Sequence, residues 1–331
     1  MTRTPSRQRG VALLTVLLLV AVMGVLVMAT LDDVRFGLRR AGNVQALEQA
    51  QWHARGVAAL ARSQVEAMQR RDPGVTLLDG NWEDVPRPLP LPGEEGGLAV
   101  VRVTDGGNCF NLNSVVEGAP GQWQYNATGA RQYQALLEAL GVDDARARSL
   151  ADALVDWIDS DASPRPMGAE DSAYQAADPA RRTSGTLLAE PSELRAIAGY
   201  DAALYARLRP WACALPDDRL SPLNVNTLRP DDAPLLTMLT LGALPPAHAR
   251  SVISARPPGG WRDNAVFWSL PALAAANAPA PVIGQTALRT RYFGLDVRVS
   301  LGEAEAVLTE TFEVADDGRT HLLAHRWTLE E

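Results

Sequence analysis

The sequence predicts an α+β protein. A long N-terminal helix crosses a membrane and packs on a small antiparallel sheet, and a large all-α insertion interrupts that sheet. Three observations predict it. Residues 11–31 are 21 consecutive residues without a charge, and a 3–4-residue apolar period continues from them to about residue 71. A single period-two strand at 98–104 lies far from a group of strands that begins near Leu288. Residues 116–285, between the two, read as helices broken by Pro-rich turns.

The N-terminus sets the topology. Residues 1–10 carry Arg3, Arg7 and Arg9 and no acid, and Asp32 and Asp33 follow the apolar run. As a helix the run is about 31 Å long, enough to cross a bilayer core of about 30 Å. The flanking charges place residues 1–10 on the cytoplasmic side and the rest across the membrane. A cleaved secretory signal needs a shorter apolar core and a small-residue cleavage site, and neither is present. A plain signal anchor is one reading. The other turns on Gly10: a basic leader ending in Gly before an apolar helix resembles the leader of type IV pilins and type II secretion pseudopilins. That resemblance implies cleavage between Gly10 and Val11 by a prepilin peptidase and a methylated new N-terminus. The family usually has Glu at the fifth mature position, where it pairs with the N-terminal amine of the next subunit towards the tip. Here that position is Thr15. A subunit without the Glu can still stand first in a fibre, where it has no predecessor.

Residues 32–71 continue as a half-buried stalk helix on Val34, Leu38, Ala41, Leu47, Ala54, Ala58, Ala61 and Val65, with bends expected at Gly37 and Gly42. The Pro- and Gly-rich residues 72–97 read as a loop. Helices are expected near 130–141, 143–158, 191–198, 201–209, 230–242, 245–255 and 264–276. Turn signals at Gly302 and Asp316-Asp317-Gly318 divide the C-terminal residues into a meander. An isolated strand is not stable, so the strand at 98–104 pairs with that meander. The expected organisation is leader 1–10, membrane helix 11–31, stalk and first part of an α/β domain 32–115, helical insertion 116–285, and meander 286–331.

Composition narrows the function classes. The chain has 331 residues, of which 47% are hydrophobic and 21% charged, with a mean hydropathy of -0.09. These values exclude a disordered tail protein and a polytopic membrane protein. Net charge is -8 and all 31 basic residues are Arg, a poor balance for a nucleic-acid binder, which needs a basic face. Two cysteines exclude a disulfide-rich scaffold and a four-cysteine zinc site. His53 and His248 are isolated, and His321 and His325 stand about 13 Å apart on one strand face, too far to share a metal.

The middle of the chain narrows the family. CFNLNSV at 109–115, LADALVDWIDSDASPRPMGAEDSAYQ at 150–175 and LSPLNVNTL at 220–228 resemble the minor pseudopilin K of type II secretion systems, as does the missing Glu at Thr15. The resemblance spans nearly the whole chain. It implies a non-enzymatic, pilin-like protein of the bacterial inner membrane, single-pass, with its body in the periplasm. It implies a place at the tip of a short fibre with minor pseudopilins I and J, above H and the major pseudopilin G.

The acidic run carries chemistry by itself. Asp159, Asp161, Ser163 and Glu170 stand at positions 1, 3, 5 and 12 of a window with the oxygen-ligand spacing of a calcium loop, and Asp171 and Asp156 lie nearby. Pro164 replaces the Gly of an EF-hand, so this is an oxygen-rich loop of similar reach; the alternative is a solvated acidic turn. The resemblance implies calcium here, held structurally by Asp159, Asp161, Glu170 and Asp171. Residues 136–158 and 236–255 resemble helix-hairpin-helix modules. Their turns lack a second Gly and basic neighbours, and Asp143 and Asp144 would repel phosphate, which favours protein packing over DNA. Cys109 and Cys213 follow the membrane span and face an oxidising compartment. A bridge between them would close a loop of about 100 residues; the alternative is two separate buried thiols. No nucleophile elbow, phosphate loop or dinucleotide fingerprint is present. A signal-anchored periplasmic metal-dependent hydrolase and a DNA-uptake protein remain as the other function classes.

Overall fold

The computed structural model describes residues 8–78, 82–93, 96–176 and 180–328, with the side chains of 8–10 left aside; most of the expected leader lies outside the described residues. Helix α1 (Gln8–Arg71) is unbroken through Gly37 and Gly42, where bends were expected. At 1.5 Å per residue it is about 96 Å long. It is the one helix among the described residues long and apolar enough to cross a membrane, with a mean hydropathy of 3.0 over its best window and none of that window buried. The expected half-buried stalk begins later than its apolar period suggests: Val34, Leu38 and Leu47 are all exposed, and the first buried side chain is Ala50. Periodicity marks a face, and only the fold decides whether this chain covers it.

From Ala50 onward α1 lies on a five-stranded antiparallel sheet of order β1-β2-β9-β10-β11. Its packed face is Ala50, Ala54, Ala58, Ala61 and Val65, small side chains that let the helix axis approach the sheet. The strands meet it by alternation. Ala99 and Val101 of β2 (Leu98–Asp105), Phe293, Leu295, Val297 and Val299 of β9 (Tyr292–Leu301), and Ala306, Leu308 and Phe312 of β10 (Ala304–Val314) share the buried face. The register aligns them, Ala99 with Val299 and Phe293 with Phe312. Buried Glu310 sits on the same face, paired with Arg62 of α1, and His325 of β11 (Thr320–Arg326) stands 3.3 Å from it. Residues 72–97, read as a loop, contain β1 (Arg87–Pro90), antiparallel to β2. Pro88 and Pro90 hid it from a sequence reading; proline is tolerated in a strand at a sheet edge, which is where β1 lies.

The sheet is interrupted between β2 and β9, so the inserted crown is 106–291 by hydrogen bonding. Its elements run in order: β3 (Phe110–Asn111), β4 (Val116–Glu117), β5 (Gln124–Tyr125), α2 (Ala127–Ala139), α3 (Asp144–Ile158), α4 (Asp171–Gln175), α5 (Ala202–Leu208), β6 (Ala212–Cys213), β7 (Leu223–Asn224), α6 (Ala233–Leu239), α7 (Pro246–Ser254), α8 (Asn264–Trp268), α9 (Pro271–Ala274), α10 (Ala280–Gln285) and β8 (Thr286–Ala287). The crown is thus helical with small two-residue ladders rather than purely α, and residues 286–287 pair with β7 rather than joining the meander. The helix expected at 191–198 is a 3₁₀ turn (Pro191–Ala196), and the one at 264–276 splits before Pro271.

The crown is built twice. Each half opens on an Asn-x-Asn-Ser/Thr turn and closes with a short parallel strand pair, β3 with β6 and β7 with β8. In the first, Asn113 gives its amide N–H to Leu188 O (3.0 Å) and accepts from Leu188 N (2.7 Å). In the second, Asn226 does the same with Trp261, at 2.9 and 2.7 Å. Hairpins α2–α3 and α6–α7 turn at Gly141 (φ 83°) and Gly242 (φ 84°), a left-handed conformation that favours glycine. Both halves share one core containing Tyr133, Leu136, Leu154, Leu236 and Phe267.

Candidate functional site

The acidic loop grows out of the end of α3. Leu150, Leu154 and Ile158 bury that helix in the crown core, which leaves Asp152 and Asp156 one turn apart towards the outgoing loop. Asp152 accepts from Arg165 Nε (2.8 Å) and from the Met167 N–H (3.2 Å). Asp156 accepts the Arg165 N–H at 3.2 and 3.1 Å. Gly168 passes so close to Asp156 that a Cβ there would stand 2.0 Å from Oδ2, so glycine is what lets the loop fold back. These contacts return Glu170 over Asp159, the residue that ends α3.

Asp159, Asp161 and Glu170 form one group, with a ligand oxygen from each lying within 4.8 Å of the others. Asp159 and Glu170 are buried and Asp161 is exposed. Asp159 Oδ1 and Glu170 Oε1 are buried without a hydrogen-bond partner. Burial, and then repulsion from Asp161, Asp156 and Glu170, pushes the Asp159 carboxyl up to about 7. Burial and the neighbouring Asp156 raise Glu170 as well. Asp171 is turned elsewhere: its Oδ1 accepts the Thr183 N–H (2.9 Å) and hydroxyl (3.0 Å), bonds that lower its pKa. Ser163 is likewise outside the group and gives its N–H to Asp161 Oδ1 (2.7 Å). Three clustered carboxylates with two orphaned buried oxygens suit a hard cation, which takes oxygen ligands and supplies the missing charge.

The other singled-out residues lie apart from this group. Cys109 and Cys213 form a disulfide, Cα atoms 5.8 Å apart, that ties the start of the first crown half to its end. Thr15 is on the exposed part of α1 and gives its hydroxyl to Ala12 O (2.9 Å), so its polar group is satisfied within the helix. Gly10 and Val11 are both helical. At the first hairpin, Asp143 accepts the Arg146 N–H (3.0 Å) and Asp144 pairs with Arg148; this helix start is capped by carboxylate and does not cradle phosphate. Sequence reasoning passed over Asp152 and Gly168 as loop organisers, and over the paired clamps Asn113 and Asn226. The signal for the clamps was present: Asn-Leu-Asn-Ser at 111–114 and Asn-Val-Asn-Thr at 224–227 repeat one pattern.

Comparison with known proteins follows the same division. Family models described as type II secretion system (T2SS), protein K, match residues 108–217, where the model is that of a first domain, and residues 223–285. These are the two halves of the crown. The chain is 39% identical over 275 residues to type II secretion system protein K of Klebsiella pneumoniae, covering 83% of each. It is 33% identical over 329 residues to that of Aeromonas hydrophila, covering 96% of both chains. The fold matches a chain in the crystal structure of the GspK-GspI-GspJ complex from the enterotoxigenic Escherichia coli type 2 secretion system. The TM-score is 0.74 at 28% identity, over 87% of this chain and 99% of that one.

Proposed function

Because the chain belongs to the type II secretion system protein K family, we propose that it is the minor pseudopilin that stands first in the pseudopilus. In this reading it is a non-enzymatic subunit that initiates and caps a fibre serving protein export across the outer membrane. The observation that carries the proposal is the place of the crown. Residues 106–291 leave the sheet after β2 and re-enter at β9, so a second body is added to a domain of helix-on-sheet form. A head widened in this way cannot stack laterally along a shaft, whereas it fits an end. Thr15 agrees: its hydroxyl is spent on its own helix and offers no carboxylate to a subunit above.

The proposed partners are minor pseudopilins I and J, in line with the complex in which the solved relative was crystallised, followed by H and the major pseudopilin G. The proposed setting is the inner membrane, crossed once, with the body in the periplasm. Arg3, Arg7 and Arg9 ahead of the apolar span support that orientation. A prepilin peptidase would cut between Gly10 and Val11. The reading is tested by labelling the exposed turn at residues 316–318 and imaging sheared fibres. Label at one end only, on chains whose mass begins at methylated Val11, is the expected result; label along the shaft, or a chain that keeps Met1, overturns it.

The acidic group is proposed as a structural calcium site held by Asp159, Asp161 and Glu170. The ion would offset carboxylate repulsion and fasten the loop to the end of α3, with no catalytic role. A hydrolytic metal would want His ligands or a neighbouring base, and no His belongs to the group. The hydrolase reading is therefore not favoured, and the capped hairpin speaks against DNA uptake.

A further inference from the structure

The two halves of the crown reach their Asn clamps by different routes. In the second, Trp261 meets Asn226 seven residues after α7 ends at Ser254. In the first, Leu188 meets Asn113 30 residues after α3 ends at Ile158, and the chain between them carries Asp159, Asp161 and Glu170. Closing the longer loop costs more chain entropy, and the carboxylates gathered in it repel one another. The same half carries the bridge. Asn111 stands opposite Cys213 in the first parallel strand pair, and Asn224 stands opposite Ala287 in the second. Pro222, two residues before Asn224, takes the place that Cys109 has before Asn111. The half that must hold a long acidic loop is therefore the half that is cross-linked.

A continuous set of hydrogen bonds joins bridge and loop. Cys213 ends β6, and the chain that leaves it is held by two Asn side chains. Asn111 accepts the Leu215 N–H (3.0 Å) and gives its amide N–H groups to Asp217 O (2.8 Å) and Arg219 O (2.9 Å). Asn113 gives an amide N–H to Leu215 O (2.8 Å), and the same side chain holds both the N–H and the carbonyl of buried Leu188. A few residues before Leu188, the Ser184 and Gly185 N–H groups both go to Trp157 O at 3.0 Å, two residues ahead of Asp159. Thr183 gives its N–H and hydroxyl to Asp171, the neighbour of Glu170. Both ends of the acidic group are thus tied to residues 183–188, and that segment is tied to the bridged strand through Asn113.

We infer that the Cys109–Cys213 bridge and the cation at Asp159, Asp161 and Glu170 are coupled, so that dithiol oxidation is the reaction that must precede tight calcium binding. The inference rests on the calcium site proposed above. In the oxidation the two Cys thiols give up two protons and two electrons to a disulfide reagent; an S–S bond forms between Cys109 and Cys213, and the reagent leaves as two thiols. With the bridge in place, residues 213–219 stay beside β3 and Asn113 keeps hold of Leu188. The loop is then folded before the ion arrives, and little binding energy goes into ordering it. Without the bridge, a two-residue ladder and the two Asn side chains hold that segment alone. Fewer molecules carry the folded loop, and the apparent affinity falls by the same fraction. The coupling is reciprocal: the ion protects the bridge from reduction by the factor by which the bridge strengthens ion binding. A chain not yet oxidised therefore keeps its acidic loop unfilled at calcium concentrations that saturate the bridged chain.

The test uses the full chain in detergent, with calcium ion as the only ligand. Calorimetric titration should show calcium binding about tenfold weaker after the bridge is reduced with a phosphine, within the usual range of coupling between sites. In glutathione buffers with and without calcium, the thiol–disulfide midpoint, read by counting thiols, should move by the same factor, about 30 mV for a two-electron couple. Asn113→Ser removes the shared amide and should shrink both effects to less than about threefold while the bridge still forms. Ala58→Leu weakens the fold at the sheet instead, and its bridged chain should bind calcium as wild type does, which separates the coupling from a general loss of stability. Should Asn113→Ser fail to fold, the two wild-type measurements and Ala58→Leu decide alone. Equal calcium affinity in bridged and reduced chains, a midpoint indifferent to calcium, the full effect retained in Asn113→Ser, or a tenfold loss in bridged Ala58→Leu each overturn the coupling. If the bridged wild-type chain binds no calcium, the calcium site falls and the coupling with it; if it binds calcium equally well in both redox states, only the coupling falls.

Discussion

Asp159 and Glu170 bring two carboxylate oxygens to one buried point where neither has a hydrogen-bond donor. Burial first, and then repulsion from Asp161, Asp156 and Glu170, raises the Asp159 pKa to about 7, so without a cation the group relieves itself by keeping a proton. Calcium should therefore raise the melting temperature of the wild-type protein, and chelator should lower it. Changing Asp159 and Asp161 to Ala should abolish that difference; a wild-type melt indifferent to chelator rejects the site. A half-buried acid in the fold's first loop behaves differently. Glu83 pairs with Arg229, yet burial outweighs that attraction and, with Asp105, Asp232 and Asp84 nearby, pushes it up to about 7. The folded state then holds a proton that the unfolded chain has already released. The sign follows: stability from this group is present below the ordinary carboxylate range and is lost as pH rises towards 7. Glu83→Gln should flatten the fall in urea midpoint between pH 4.5 and 7, and an identical pH profile would contradict the assignment.

Helix α1 shows how one element serves two environments. Its first part is apolar all round, as a membrane span must be. From Ala50 onward it keeps a narrow stripe of small residues for the sheet and polar flanks that fasten the strands. Arg62 pairs with Glu310 on β10, and Glu66 accepts from both the N–H (3.0 Å) and the hydroxyl (2.9 Å) of Thr320 at the start of β11. Ala58 is fully buried against the sheet. Replacing it by Leu should cost about 1–3 kcal/mol through overpacking, read as a lowered urea midpoint. Trp52→Ala, on the open face, should leave the midpoint of the isolated protein unmoved. An Ala58→Leu variant as stable as wild type would mean that the helix lies farther from the sheet than described.

For the whole molecule, the disulfide and the Asn clamps join parts distant in sequence. Asn113 holds Leu188, the chain just past the acidic loop, and also Leu215 O at 2.8 Å, the chain just past Cys213. The exit of the acidic loop and the bridged strand thus share one side chain. Cys109 and Cys213 are 104 residues apart, and cross-linking a loop of that length stabilises by about 4–5 kcal/mol in the chain-entropy picture. Replacing both with Ser should lower the urea midpoint accordingly, and an unchanged midpoint would show that the bridge adds nothing to the fold. The second half of the crown has no bridge. It is tied to the end of the stalk instead, through Arg262 with Asp72 (2.8 Å) and Asn224 with Thr76 O (3.1 Å).

The sequence by itself determined the long apolar N-terminal helix, the α+β class, the meander and the pairing of its strands with residues 98–104. Each of these rests on local period and charge, which a chain displays wherever it folds. The Asp159, Asp161 and Glu170 spacing was legible for the same reason, because a turn of twelve residues brings its own ends together. Tertiary structure alone decided that Asp171 turns to Thr183, that a Pro-bearing segment becomes an edge strand, and that Val34 and Leu38 stay uncovered. It also decided which distant backbone each Asn of the visible Asn-x-Asn-Ser/Thr repeat holds, Leu188 for Asn113 and Trp261 for Asn226. Those outcomes depend on which distant surfaces meet, and packing between residues far apart in the chain leaves no mark in local pattern.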